Sequence, residues 1–148
     1  MGLFDAISIA GSGLSAERIR MDVTAENLAN ADTTRAANGQ PYKRQEVQLA
    51  AVGSQNFNGA LSGAMRASEE VPPGGVKVTG IVSDDTPDQQ VYDPGNPEAD
   101  AQGYVKMPNV STVTEMTDLI SEQQSYQSDV TAMQTAKSMF SSMLEVLK

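Results

Sequence analysis

The sequence predicts a mainly α-helical fold with a small β element, in which the N- and C-terminal helices pack as a coiled-coil-like antiparallel pair around a short β-rich middle. Two apolar patterns with a seven-residue repeat, one at each end of the 148-residue chain, support this fold class. Such a repeat is typical of helices that pack along their length against other helices. We therefore expect an N-terminal helix (1–30), a loop and small β region (31–108), and a C-terminal helix (109–148).

The N-terminal helix is predicted over residues 3–30. Ile7, Leu14, Met21 and Leu28 recur every seven residues. The alternating positions of the same repeat lie three residues before each of them, at Phe4, Gly11, Arg18 and Ala25. A glycine and an arginine interrupt the alternating positions, so the apolar stripe is thin. Two glycines in the helix interior, each costing about 1 kcal/mol, predict either a close approach of another helix or a local break.

The middle of the chain carries the signals of strands and turns. Strands are expected at residues 42–49, 76–82 and 103–107. A short extended piece is expected at residues 91–93. Two prolines at residues 94–97 predict a stiff turn. Residues 50–67 are small and weakly patterned, which favours a loop outside the packed elements.

The C-terminal helix is expected to begin near Thr112, because Thr112 and Glu115 have the spacing of a capping box. Its apolar seam repeats every seven residues at Leu119, Tyr126, Met133, Phe140 and Leu147. The alternating seam positions are Met116, Gln123, Val130, Lys137 and Leu144, so eight of the ten positions are apolar. Ten Ser or Thr residues between Val113 and Leu147 lower the intrinsic helicity of this segment, which predicts a helix that needs a partner along its length.

The composition argues against several classes of function. A net charge of −9 disfavours nucleic-acid binding, because no basic patch balances it. Without His or Cys, the chain lacks the imidazole base and thiol nucleophile of the commonest catalytic sites. No apolar run approaches the roughly 20 residues of a membrane-spanning helix, so membrane insertion is not expected.

The acidic segments of the middle are poor candidates for catalysis or metal binding. Adjacent carboxylates at residues 69–70 and 84–85 point to opposite faces of an extended chain, which does not make an acid–base pair. Asp93, Asn96, Glu98 and Asp100 carry the oxygen atoms that Ca²⁺ takes as ligands. Prolines and a glycine take the ligand positions of a calcium loop there. We expect no catalytic residue, metal or cofactor.

The N-terminus does not have the features of a cleaved secretory signal. It lacks a basic region, carries Asp5, and places Ala6 where a myristoylation motif has Ser or Thr. If the protein leaves the cytoplasm, we expect a route that keeps this N-terminus.

Several segments resemble the bacterial flagellar axial proteins, the family of rod and hook subunits. Residues 27–33 (NLANADT) are similar to the asparagine-flanked motif that follows the first helix of that family, and the C-terminal segment is similar to the end of its members. Residues 75–78 (GVKV), 91–97 (VYDPGNP) and 103–110 (GYVKMPNV) narrow the resemblance to the proximal-rod members. Gln124 and Asp129 depart from the family, which usually has Arg and Asn there.

The resemblance implies a structural subunit of the proximal rod, the drive shaft that transmits torque across the periplasm. It implies assembly with copies of the chain itself, with other rod proteins, with the hook–basal body adaptor protein and with the MS-ring side of the basal body. It also implies passage through the flagellar type III export apparatus without signal cleavage. A tube of this kind requires contacts between unlike patches of neighbouring subunits.

Fifteen residues of the two seams and the asparagine motif are expected to pack between subunits. They are Phe4, Ile7, Leu14, Met21, Asn27, Leu28, Asn30, Met116, Leu119, Tyr126, Val130, Met133, Phe140, Leu144 and Leu147.

Two other function classes compete with a structural rod subunit. A soluble coiled-coil adaptor or export chaperone would use the helices as a hairpin and the middle as a linker, but the proline-defined turn argues against a linker. An enzyme with a carboxylate site in the acidic loop at 83–90 is disfavoured by the missing His and Cys.

Overall fold

The computed structural model describes residues 3–36, 39–52 and 74–146. The described elements are α1 (Leu3–Ala29), β1 (Gln45–Ala51), β2 (Val76–Ser83), β3 (Gln89–Tyr92), β4 (Tyr104–Met107) and α2 (Thr112–Val146). Two long helices at the ends and short antiparallel strands between them confirm the prediction of a mainly α fold with a small β middle.

α1 lies between α2 on one side and the β1–β2 hairpin on the other. Asn27, near the end of α1, contacts Glu115, near the start of α2. Gly13, in the first half of α1, lies against Asp129 farther along α2, so the two helices run antiparallel. On the hairpin side, the backbone N–H of Val76 donates to Ser12 Oγ at 3.0 Å. α1 therefore joins α2 to the β1–β2 hairpin.

The strands form two separate two-stranded antiparallel sheets. β1 pairs with β2, with a bulge between Gln48 and Leu49, and β3 pairs with β4. β1 begins three residues later than predicted and runs to Ala51, so Ala50 and Ala51 belong to a strand and not to the expected loop. Their partners Lys77 and Val76 on β2 explain the extension. The rest of the expected loop, residues 53–67, lies outside the described residues.

The turn between β3 and β4 is closed by backbone hydrogen bonds at its base. The N–H of Asp93 donates to Gly103 O and that of Asp100 to Tyr104 O, both at 2.9 Å. Gly103 has a φ of 86°, and a Cβ there would lie 2.9 Å from the Tyr92 ring. A side chain at position 103 would therefore collide with the end of β3.

The side of α2 that faces α1 differs from the predicted seam in one of its two rows. The row formed by Leu119, Tyr126, Met133 and Phe140 is half-buried. The second buried row lies one residue earlier than predicted, at Glu115, Glu122, Asp129 (half-buried) and Ala136. Positions Met116, Gln123, Lys137 and Leu144 are exposed instead, and Val130 is half-buried. The polar row is buried because α1, together with Arg44 just before β1, supplies hydrogen-bond partners to Glu115 and Glu122, which an apolar pattern in one helix cannot show.

The buried stripe of α1 also differs from its predicted seam. Ala16, Val23, Thr24 and Asn27 are buried, whereas Ile7, Leu14, Met21 and Leu28 are half-buried. Contacts from α2 and from the hairpin reach α1 from two directions. The buried stripe of α1 is therefore set by two neighbours and not by one helix partner alone.

The glycines of α1 mark a close approach of the helices and not a break. α1 is continuous through Gly11 and Gly13. A Cβ on Gly11 would lie 3.7 Å from Met133 Cε, and one on Gly13 would lie 2.6 Å from Asp129 Oδ2. Gly13 therefore makes room for a carboxylate of α2.

The start of α2 confirms the predicted helix boundary but not the predicted cap. Ser111 Oγ accepts a hydrogen bond from the N–H of Thr114 at 3.4 Å, which makes Ser111 the N-cap residue. Glu115 is turned inward and is 1% exposed. Its carboxylate binds side chains of α1 and of the segment before β1, so it cannot also cap the helix.

Candidate functional site

The side chain of Asn27 joins three parts of the fold. Its Nδ2 donates to Gln45 O at 2.9 Å and to Glu115 Oε2 at 3.0 Å. Its Oδ1 accepts from the Tyr42 hydroxyl at 3.0 Å and from the Gln45 N–H at 2.9 Å. All four hydrogen-bonding positions of the amide are used, while the residue is 1% exposed. The asparagine motif thus ties α1 to α2 and to the start of β1.

Arg44 provides the charged half of the same junction. Its Nε donates to Glu115 Oε1 at 2.6 Å, Nη1 pairs with Glu46, and Nη2 lies 3.8 Å from Asp118 Oδ2. Its backbone N–H donates to Asn109 Oδ1 at 2.9 Å, just before α2. Burial by itself lowers the pKa of Arg44, but the hydrogen bonds and charges of Glu115 and Glu46 together outweigh burial and raise it. Glu115 therefore has a permanent cation beside it.

Tyr42 contributes a neutral donor to the junction. Burial, together with the nearby charges of Glu26 and Glu115, raises the pKa of Tyr42 to about 12. The phenol therefore keeps its proton at physiological pH and donates it to Asn27.

A second polar layer lies two helical turns further along α2, at Glu122. Oε1 of Glu122 accepts from Thr24 Oγ1 at 3.2 Å and lies 3.4 Å from Arg20 Nε. Oε2 is buried, and no residue in the described part of the chain forms a hydrogen bond with it. Burial raises the pKa of Glu122 more than Thr24 and Arg20 lower it, and Glu17 and Asp118 add to the increase.

The polar layers follow a seven-residue spacing on both helices. Glu115, Glu122 and Asp129 lie seven residues apart on α2, and Asn27, Arg20 and Gly13 lie seven apart on α1. Glu115 contacts Asn27, Glu122 contacts Arg20, and Asp129 lies against Gly13. A slip by one turn would leave buried carboxylates without these partners, so the layers specify the register of the pair.

The residues predicted to pack between subunits fall into three groups. Met116 and Leu144 are exposed, with 52% and 50% of their surface accessible. Asn27 is buried in the junction, and Asn30 shapes the end of α1 by donating from Nδ2 to Glu26 O at 2.9 Å. The half-buried group is Ile7, Leu14, Met21, Leu28, Leu119, Tyr126, Val130, Met133 and Phe140. Leu147 and the side chain of Phe4 lie outside the described part of the chain.

Sequence reasoning from apolar spacing missed the charged members of the junction. Arg44, Glu115 and Glu122 were not among the predicted packing residues. The seven-residue spacing of Glu115, Glu122 and Asp129 is a signal that was present in the sequence. It could have been found by searching for periodic acidic residues as well as periodic apolar ones.

The outward side of α2 exposes apolar side chains near its start. Val113 is 74% and Ile120 66% exposed, and Met116 lies between them at the spacing of one helix face. A second exposed group, Val91, Tyr92 and Tyr104, lies on the β3–β4 sheet, where the two tyrosine rings meet edge to face at 5.3 Å. Both groups offer apolar surface to other molecules.

The acidic side chains of the β3–β4 turn support its backbone. Asp93 Oδ1 accepts from Gly95 N–H at 3.3 Å, and Asp100 Oδ1 accepts from the N–H groups of Gln102 and Tyr104 at 2.9 Å. Across residues 3–36, 39–52 and 74–146, no group of three acidic side chains is placed to hold a metal ion. Neither helix in this part of the chain is long and apolar enough to cross a bilayer.

Two family matches cover the ends of the chain. The family described as "Flagella basal body rod protein" matches residues 7–36. The family described as "Flagellar basal body rod FlgEFG protein C-terminal" matches residues 101–146. The first match covers all but the first turn of α1, and the second covers the whole of α2.

Three relatives from different bacteria are each named "Flagellar basal-body rod protein FlgC". The relative from Bacillus subtilis is 44% identical over 152 residues, covering 100% of both chains. The relative from Salmonella typhimurium is 41% identical over 139 residues, covering 94% of this chain and 93% of its own. The relative from Borreliella burgdorferi is 38% identical over 156 residues, covering 100% of this chain and 99% of its own.

Proposed function

This chain belongs to the FlgC family of flagellar basal-body rod proteins and is a structural subunit of the rod, and we propose that it forms part of the proximal drive shaft. The observation that carries this conclusion is the 44% identity over the whole of both chains, which includes the β middle as well as the shared helices. Within the rod, the subunit transmits torque across the periplasm.

The partners that we propose are more specific than the family itself. The chain assembles with other rod and basal-body components. We propose contacts with copies of itself, with other rod proteins, with the hook–basal body adaptor protein and with the MS-ring side of the basal body. The exposed apolar side chains Val113, Met116 and Ile120 support contacts between subunits, because an exposed apolar helix face is stabilised by a neighbour.

We propose that α1 and α2 act as a coiled-coil-like pair within the assembly, and that residues 1–30 and 109–148 form the axial part of the subunit. The close approach at Gly11 and Gly13 and the seven-residue spacing of the layers support this packing. Residues 31–108 form the outer part, held to the helices through Asn27 and Arg44. The seam residues named above are proposed to complete their burial against neighbouring subunits.

We also propose that the chain reaches the rod through the flagellar type III export apparatus with its N-terminus kept, and that it has no catalytic activity. Family membership supports the route, since the rod lies outside the cytoplasm. The absence of His and Cys from the sequence supports a purely structural role. A soluble adaptor or export chaperone is not favoured, because whole-length relatives are rod proteins.

Replacement of the endogenous rod gene tests the assignment. A strain that lacks its FlgC protein is complemented with this chain, swimming is measured in soft agar, and purified basal bodies are probed for the chain. We expect swimming to be restored and the chain to co-purify with the rod. Absence of the chain from the basal bodies of a swimming strain would contradict the assignment.

A further inference from the structure

The distal part of α2 rests on a single neighbour. Among the described helices and strands, α2 packs against α1 alone. From residue 123 to residue 145, Ala136 is the only described residue that is buried. Five others in this range are half-buried: Tyr126, Asp129, Val130, Met133 and Phe140. We call residues 123–146 the arm, because they continue α2 as one helical stretch with one-sided contact.

The first turns of α2 are held from more directions than the arm. Glu115 is 1% exposed, and it accepts hydrogen bonds from Asn27 of α1 and from Arg44 before β1. Asn109, just before α2, accepts a hydrogen bond from the N–H of Arg44 at 2.9 Å. Hydrogen bonds to charged groups stabilise a contact more than neutral ones do. Residues 112–121 are therefore tied to two other segments, whereas the arm depends on α1.

Glu122 lies at the boundary between these two parts and opposes closure of the arm. Its Oε1 accepts a hydrogen bond from Thr24 and lies 3.4 Å from Arg20 Nε. Its Oε2 has less than 1 Å² of accessible surface, and no residue in the described part of the chain forms a hydrogen bond with it. A carboxylate oxygen that loses water without gaining a donor disfavours the packed state. Separation of the two helices would return water to this oxygen.

The arm also has weak support within its own helix. Four of its hydroxyls donate to the carbonyl four residues earlier, at 2.9–3.1 Å, and they belong to Ser128, Thr131, Thr135 and Ser142. Such bonds slightly destabilise and bend helices. The charged residues of the arm lie eight apart, at Asp129, Lys137 and Glu145. They therefore form no ion pair at the i,i+4 spacing that stabilises an isolated helix.

We propose that the arm is a strap that opens from α1 in the unassembled subunit and closes when neighbouring rod subunits cover it. Glu122 is the boundary of the opening, because the junction holds α2 up to that residue. The inference rests on the proposed function, since the neighbours are subunits of the rod. Opening uncovers half-buried apolar residues of α1 and of the arm, which become available to those neighbours.

Hydrogen exchange followed by mass spectrometry measures the opening, on the purified chain and on basal bodies that contain it. In the isolated chain, we expect the amides of residues 126–140 to exchange at least about tenfold faster than those of residues 116–121, because the arm opens while the junction stays closed. In basal bodies, the amides of the arm should exchange as slowly as those of residues 116–121.

Glu122→Met replaces the buried carboxylate by an apolar side chain of similar size. E122M should slow exchange of the arm in the isolated chain about tenfold, because apolar replacement of a buried ionic group often stabilises packing. Arg20 keeps a partner in this variant, since it also pairs with Glu17 and its side chain is 38% exposed. Glu122→Gln retains an acceptor for Thr24 and should slow exchange less. Glu145→Met makes the same substitution at an exposed position of the arm, so it is the matched control and should leave exchange unchanged.

Each outcome bears on the proposal. A fast arm beside a slow start of α2, with slower exchange in E122M, supports it. Equal exchange in both parts of α2 in the isolated chain, whether fast or slow, would overturn it. A fast arm that E122M and E122Q leave unchanged, or an arm that stays fast in basal bodies, would overturn it as well. Absence of the wild-type chain from basal bodies would contradict the proposed function itself, on which the exchange of the isolated chain does not depend.

Discussion

At the residue scale, Asn27 shows how one side chain can join distant parts of a sequence. Its side-chain amide binds Gln45 and Glu115, which lie 18 and 88 residues away in the sequence. Because every hydrogen-bonding position of its amide is used, no other residue type reproduces the arrangement. Asp in its place would add a second carboxylate beside Glu115, and Ala would leave several buried groups without partners.

We expect Asn27→Ala to destabilise the subunit by about 1–3 kcal/mol for each buried group left without a partner. Swimming should be lost or strongly reduced, and the chain should become sensitive to protease in purified basal bodies. Asn30→Ala is the control from the same motif, and it should have a smaller effect because Asn30 bonds only within its own turn. Normal swimming of N27A would show that the junction does not hold the subunit together.

Glu122 makes the helix pair sensitive to pH in a defined direction. Its pKa in the folded chain is raised by burial above its ordinary value of about 4.3. The folded state therefore holds a proton that the unfolded state releases, and stability falls as pH rises through the folded pKa. This contribution is fully present below the ordinary value and is lost above the raised one.

We expect the helix content of the isolated wild-type chain to fall relative to that of E122Q as pH rises from about 4.5 to 7.5. Far-ultraviolet circular dichroism of both chains over this range checks the prediction. The difference between the two chains isolates Glu122 from the other carboxylates. A difference that does not change with pH would mean that Glu122 titrates as it does in the unfolded chain.

At the scale of the elements, α2 has two sides with different tasks. Its inner side meets α1 through half-buried apolar residues and acidic layers. Its outer side exposes Val113, Met116 and Ile120, although these are large apolar residues. Leu119 and Ile120 are neighbours in sequence but lie on different sides, which allows the two tasks to be separated by mutation.

We expect Ile120→Asp to abolish swimming without lowering the helix content of the isolated chain, because Ile120 is 66% exposed there. Leu119→Asp should lower both swimming and the helix content of the isolated chain, since Leu119 lies on the side of α2 that faces α1 and an unpaired buried charge is costly. Soft-agar swimming and circular dichroism of both variants provide the comparison, with Ile120→Val as the conservative control. Full motility of I120D would mean that the outer face meets solvent in the rod.

At the scale of the whole molecule, the subunit has a small core for its length. The buried hydrophobic residues in the described part of the chain are few and mostly small: Ala16, Val23, Ala31, Val105, Val110 and Ala136. Three acidic residues occupy the helix seam where apolar ones would contribute more burial. Stability is therefore expected to depend on neighbours in the assembly.

We expect the isolated chain to have less helix in dilute solution than the structure contains, and to gain helix when rod partners are added. Circular dichroism at increasing protein concentration, with and without purified rod proteins, measures this gain. The sum of the spectra of the separate proteins is the reference. A cooperative, strongly helical melt of the chain alone at low concentration would contradict this expectation.

The sequence alone determined the two helices and the approximate positions of the strands, because periodicity, capping residues and prolines act over short distances. The strand ends differ: β1 is Gln45–Ala51 and β3 is Gln89–Tyr92, whereas a strand was predicted at 42–49 and a short extended piece at 91–93. The sequence located α1 to within one residue at its end and placed the start of α2 at Thr112. Through its similarity to the axial proteins, it also pointed to the rod. The asparagine motif points to Asn27 but does not show its partners.

Only the tertiary structure decided which row of each helix is buried. A seven-residue repeat defines neighbouring rows that are one residue apart, and the choice between them depends on the partner. Here the row with Glu115 and Glu122 is buried, because Asn27, Arg44 and Thr24 satisfy those carboxylates from positions far away in the sequence. Burial of charge is a property of the assembled pair, so no pattern within α2 alone could have fixed it.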